Sequence, residues 1–160
     1  MARKILVPFR SHDRIEEIVP YVEKVAQPGM KVIFLIRYPA DEFEWLRDHW
    51  VTTESPRKMM LAARRVEQKY SWDEQMRLAK ERVVPARQAL ERRGVEVAVD
   101  LFAGGLGKAV GSYRDNGDVH LILIPARSGL WMRRALKVTR WLLRRPSLSP
   151  VLLIQLNYSA

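Results

Sequence analysis

Apolar positions along the chain form five short runs, separated by stretches of helical period. The first, Ile5-Leu6-Val7 within Lys4–Phe9, is continuous and ends at Pro8, the pattern of a strand covered on both faces. Ile15, Ile18, Val19, Val22, Val25 and Ala26 follow at helical spacing, and Pro28-Gly29 stops that helix. Asp13 stands three residues before Glu16, a capping-box spacing that predicts Asp13 as N-cap. Pro20 predicts either a kink or a later start. A second strand is expected at Lys31–Arg37, where Val32-Ile33-Phe34-Leu35-Ile36 is continuous and rich in β-formers. After a polar, aromatic stretch, Ser55-Pro56 has the form of an N-cap with Pro at the first helical position. It opens a helical stretch to about Arg93, broken near Ser71, whose spacing to Glu74 predicts a new cap. Pro85 adds a kink and Gly94 ends the stretch. Val95–Phe102 alternates as a third strand, and Gly104–Gly117 reads as a glycine-rich turn with a short helix. Val119–Ile124 is a fourth strand, Arg133–Arg145 a helix, and Val151–Leu156 a fifth strand introduced by Pro150.

Strands alternating with helices imply βαβ crossovers. The expected fold class is α/β: a three-layer Rossmann-like sandwich whose five-stranded, mainly parallel sheet carries helices on both faces. Residues 39–93 form a helical insertion after the second strand, and residues 1–160 make one domain. In such sheets ligands sit beyond the C-terminal strand ends, where the strand order reverses. The loops to watch are Pro8–Asp13, Ala103–Lys108 and Pro125–Met132.

Composition narrows the function classes. The chain has no cysteine, which excludes disulfides, thiolate catalysis and cysteine–zinc sites. Its longest apolar runs fall far short of the roughly 20 residues that span a bilayer. The opening Ile5-Leu6-Val7 is too short for a secretory signal. A cytoplasmic location is expected, with attachment to a larger complex or a membrane surface as an addition. The net charge of +10 is uneven. From Pro125 to Ala160 there are seven basic residues and no acid, leaving 21 basic and 18 acidic groups before that. Such an excess speaks of partners rather than of fold.

Three segments together resemble the universal stress protein family. Lys4-Ile5-Leu6-Val7-Pro8 resembles its opening strand, and Val95-Glu96-Val97-Ala98-Val99 the strand before its third helix. The stretch from Val119-His120-Leu121-Ile122-Leu123-Ile124 through Arg127-Ser128-Gly129-Leu130 to Ser149-Pro150-Val151-Leu152-Leu153-Ile154 resembles its closing region. The resemblance implies an adenine-nucleotide α-hydrolase-like fold and a homodimer through the last strand. ATP-binding members carry an Asp just after the first strand; here Arg10 follows Phe9. The first two glycines of their late signature fall on Pro125 and Ser128, and its end falls near Lys137–Thr139. That signature lets backbone N–H groups approach phosphates at a helix start, and a proline removes one donor outright. No cofactor is therefore expected, ATP or another nucleotide being the alternative.

Candidate anion- or nucleotide-binding residues are Arg10, Ser11, Gly104, Gly105, Gly107, Lys108, Arg127, Ser128 and Gly129. For the arginines the competing role is that of solvated loop residues. Gly104-Gly105-Leu106-Gly107-Lys108-Ala109 departs from a P-loop, because Phe102 occupies the first glycine position and Ala109 replaces the magnesium-binding hydroxyl. A tight turn needing positive φ accounts for it otherwise. Ser11-His12-Asp13 lacks triad geometry, since adjacent side chains point apart. His12, His49 and His120 have no metal-ligand spacing, and His120 reads as a core histidine. No catalytic residue is expected.

The helix Arg133–Arg145 divides cleanly at 100° per residue. Ala135, Leu136, Val138, Thr139, Leu142 and Leu143 fill one half. Arg133, Arg134, Lys137, Arg140, Arg144 and Arg145 fill the other, together with Trp141. That half is either a solvated face or a surface for an acidic protein, nucleic acid or anionic membrane. Phe43, Trp45, Trp50, Tyr70 and Trp72 fill a groove between the insertion and the sheet, or line an apolar pocket or subunit interface. The sequence thus predicts a non-enzymatic binding or regulatory module, with a nucleotide- or anion-binding stress sensor as the alternative.

Overall fold

In a computed structural model of the chain, residues 2–9, 13–38, 56–116, 119–126, 140 and 150–155 are described. The apolar runs became strands, and the central ones are covered on both sides. β1 (Lys4–Phe9) is buried from Ile5 to Phe9, and β2 (Lys31–Arg37) from Val32 to Ile36. β3 (Glu96–Phe102), β4 (Val119–Ala126) and β5 (Val151–Gln155) complete a sheet of order β3-β2-β1-β4-β5. Every pairing is parallel. β3 is an edge strand, which is why its burial is intermittent where that of β1 is continuous.

Alternate residues of the central strands feed two separate clusters. Ile5, Val7, Phe9, Val32, Phe34 and Ile36 meet Ile18 and Val22 of α1 (Ile15–Val25) and Val83, Ala86 and Leu90 of α3 (Trp72–Glu91). Leu6, Ile33, Leu35, Ile122 and Ile124 meet Val110 of α4 (Leu106–Asp115) on the other face. The three layers expected from the strand–helix alternation are therefore present. α2 (Pro56–Lys69) precedes α3, and of the described elements only α3 packs on it to any extent.

The helical stretch breaks where the capping pattern places it. Ser71 is the N-cap of α3 and its Oγ accepts a hydrogen bond from the Glu74 N–H at 3.2 Å. Glu74 does not close the box; its carboxylate binds Arg77 instead. Three local expectations are corrected. Asp13 is not the N-cap of α1: that position is Arg14, whose side chain makes no capping bond, and Asp13 is buried one residue earlier. Of the two effects expected of Pro20, the later start does not occur: α1 begins at Ile15 and runs through Pro20, which is exposed, so the ring and its missing N–H fall on the solvent side. His120 is exposed rather than in the core. The pairing moves from Lys4↔Val119 to Ile5↔Leu121, which leaves His120 as the extra residue of a bulge.

Candidate functional site

The strand order reverses between β1 and β4, so the place to look is beyond their C-terminal ends. β1 pairs with β2 as far as Phe9↔Ile36, but with β4 only as far as Leu6↔Ile122. Pro8 lies two residues beyond that last pair and supplies no N–H. On β4, Pro125 likewise withholds a donor, although it keeps its register with Ile154 of β5. Both strands that border the switch point thus carry a proline near their C-terminal ends.

Just beyond β1, Asp13 is buried, at 8% exposure. Arg82 reaches this place from α3, 69 residues further along the chain. Its guanidinium lies 4.8 Å from the centre of the Phe9 ring and donates through Nη2 to the Asp13 carbonyl oxygen. Burial pushes its pKa down, against the opposing pull of the Asp13 and Glu16 carboxylates. Arginine stays protonated at neutral pH all the same. The structure therefore fixes a half-buried cation beside the end of β1, and sequence reasoning missed it. Arg82 occupies the helical wheel of α3 beside the core positions Ala79, Val83 and Ala86, a signal that marks it as partly buried without naming its partner.

The end of β2 is held differently. Tyr38 donates its backbone N–H to the Phe102 carbonyl at 2.8 Å and its hydroxyl to the Tyr70 carbonyl. Its ring lies 5.3 Å from that of Trp72. Tyr70 takes part through its backbone carbonyl and Trp72 through a ring that stays exposed, and together they tie the α2–α3 corner to the end of β2; Phe43, Trp45 and Trp50 lie outside the described residues.

At the end of β3, Gly104 has φ of 81° and Gly105 is the N-cap of α4, with Gly107 and Lys108 in the first turn. The positive φ at Gly104 is the turn requirement expected from the sequence. Gly105 has ordinary φ of −76° and nothing described within 4 Å of a built Cβ. This turn lies at the same sheet end as the switch point but two strands away, about 10 Å at normal strand spacing. α4 is pinned to β3 by the Tyr113 hydroxyl, which donates to Asp100. Burial, then this carboxylate, push the Tyr113 pKa well above its ordinary value.

Arg10, Ser11, Arg127, Ser128 and Gly129 lie outside the described residues, as do Arg133, Arg134, Lys137, Trp141, Arg144 and Arg145. Arg140 is described: it is helical and exposed. Among the described residues no group of three His, Cys, Asp or Glu side chains is placed to hold a metal. No helix among them is long and apolar enough to cross a membrane.

No protein-family model matches the sequence, and no curated protein does. Solved structures do match the fold. The protein MJ0577 is 18% identical with a TM-score of 0.60, over 100% of this chain and 99% of that one. A universal stress protein from Archaeoglobus fulgidus is 17% identical with a TM-score of 0.52, over 96% of this chain and 94% of that one. A universal stress protein in complex with cAMP is 12% identical with a TM-score of 0.51, over 98% of each chain. The expectation raised by the opening and closing strands is met at the level of architecture: this chain has the fold of the universal stress proteins.

Proposed function

We propose that the chain is a non-enzymatic binding or regulatory module that acts through its basic C-terminal helix on an acidic or phosphate-bearing partner. The carrying observation is the stretch from Pro125 to Ala160, with seven cations and no acid, in which Arg140 is helical and exposed. A solvated face ordinarily mixes the two signs; a run of one sign sets up a field that attracts an opposite one. Support also comes from the switch point, where Pro8 and Pro125 withhold the N–H groups on which backbone recognition of phosphate depends. A homodimer through β5, an edge strand with Leu152 45% exposed, belongs to this reading. Replacing Arg134, Lys137, Trp141 and Arg144 together by alanine is expected to abolish partner recovery in a pull-down while the circular dichroism spectrum stays unchanged. Unchanged recovery refutes the proposal.

A second reading is favoured by one observation, the half-buried Arg82 beside the end of β1. In it the loops after β1, β3 and β4 hold a nucleotide or another anion. One solved structure of this fold is a complex with cAMP. Titration calorimetry with ATP, AMP and cyclic nucleotides decides: heat that disappears in Arg82→Ala supports this reading, and silence across the panel removes it.

A further inference from the structure

β3 is an outer strand of the sheet, and its second edge faces away from β2. Glu96 donates its N–H to the Met30 carbonyl at 2.9 Å, and the Phe102 carbonyl accepts the Tyr38 N–H at 2.8 Å. The register is unbroken between these ends, so Glu96, Ala98, Asp100 and Phe102 turn their backbone groups to β2. Val97, Val99 and Leu101 turn theirs outward. Among the described residues nothing hydrogen-bonds the outward N–H of Val97 or Val99.

Such an edge is a template for another strand, and folded proteins blunt it with Lys, Pro, a bulge or a short length. β3 has none of these: it is seven residues long, evenly paired, and holds neither Lys nor Pro. Its Glu96 is engaged by Lys31 of β2 at 2.5 Å. What β3 does have is Asp100. One carboxylate oxygen, Oδ1, accepts the outward N–H of Leu101 at 2.9 Å. The other, Oδ2, accepts the Tyr113 hydroxyl from α4. The carboxylate thus occupies the place that the carbonyl of an added strand needs, and Tyr113 holds it there.

The strand that always accompanies this edge at equal concentration is β3 of a second copy. Set antiparallel about a two-fold axis at Val99, the two Val99 residues face each other and each Val97 faces Leu101 of the other copy. Both ends of that ladder require the Leu101 N–H, which Asp100 has taken. The two Asp100 carboxylates would also share one face of the joined sheet as diagonal neighbours, roughly 7–8 Å apart. We infer that Asp100, held by Tyr113, is a guard that keeps the outer edge of β3 from pairing with β3 of a second copy. The guarded contact is separate from the dimer proposed through β5, at the opposite edge of the sheet.

Asp100→Ala removes the guard. Asp100→Lys removes the same two hydrogen bonds but leaves a charge on the edge, and so separates edge pairing from lost stability. Both full-length variants are compared with the wild type by sedimentation velocity from ~10 μM to ~1 mM, the range in which open strand edges associate. Circular dichroism checks that each is folded. Asp100→Ala is expected to assemble beyond the wild-type state as concentration rises, while Asp100→Lys stays in it. Tyr113→Phe, which frees the carboxylate, is expected to assemble only at higher concentration than Asp100→Ala. Amide exchange gives a second reading that needs no variant. In the wild type the Val97 and Val99 N–H groups are expected to exchange more than ~100-fold faster than those of Ala98, Asp100 and Leu101. In assembled Asp100→Ala the N–H groups of Val97, Val99 and Leu101 all become slow. An Asp100→Ala variant that keeps the wild-type state overturns the inference, as does equal assembly of Asp100→Ala and Asp100→Lys. Slow exchange of Val97 and Val99 in the dilute wild type also overturns it, because the edge is then already covered.

Discussion

Replacing Arg82 by alanine tests how the end of β1 is held. The guanidinium loses two contacts at once: the Phe9 face at 4.8 Å and the Asp13 carbonyl. A cation over a ring at a half-buried site is worth about 1 kcal/mol. A charge-assisted hydrogen bond contributes about 2 kcal/mol. Asp13, 8% exposed, also loses a neighbouring positive charge, so the total cost is about 3 kcal/mol. Urea titration followed by tryptophan fluorescence measures it. Arg82→Lys keeps the charge but not the planar fork, and is expected to cost about half as much. A double-mutant cycle with Phe9→Leu isolates the ring contact, with a coupling of about 1 kcal/mol. An Arg82→Ala cost below about 0.5 kcal/mol, within the range of ordinary surface changes, refutes the reasoning.

Ser71→Ala removes the cap of α3 and is expected to cost about 1 kcal/mol in the same titration, with Ser71→Asp close to neutral. Gly104→Ala forces an L side chain to φ of 81° and is expected to cost about 1 kcal/mol, whereas Gly105→Ala, with ordinary φ and open space, is close to neutral. The Tyr113 pKa is raised in the folded protein, so above pH ~10 the unfolded chain ionises first and stability falls as pH climbs. Tyr113→Phe is expected to flatten that alkaline loss while lowering stability at pH 7, read from urea midpoints across the pH series. Leu90→Ala, which opens a cavity at a fully buried position of α3, is expected to cost about 3 kcal/mol.

The strands were legible because burial on both faces writes itself into local sequence. Val32-Ile33-Phe34-Leu35-Ile36 needs no knowledge of its neighbours to be read as a central strand, and the Ser71 cap is equally local. What escaped depends on contacts between distant parts. Asp13 and Glu16 have capping spacing, yet Asp13 lies beside an arginine 69 residues away and the helix begins without a side-chain cap. His120 sits in an apolar run, but the bulge that turns it outward is a property of the pairing with β1. Tyr38 stands at the start of a polar, aromatic stretch and proves to be the anchor of the α2–α3 corner. For the candidate site, the Gly104 turn was legible from its glycines and Arg82 was not, because a lone arginine on a helix carries no mark of what it faces.

The ladder between β1 and β4 holds three residue pairs with a bulge among them, against six between β1 and β2, seven between β2 and β3 and five between β4 and β5. The hydrogen-bonded ladder is therefore shortest in the middle of the sheet and not along an edge. Past Leu6↔Ile122 the two strands share no further ladder pair, and the amide protons of β4 on that side are expected to exchange with solvent earlier than those paired with β5. The crevice in which open sheets of this kind receive their ligands thus begins where this ladder stops.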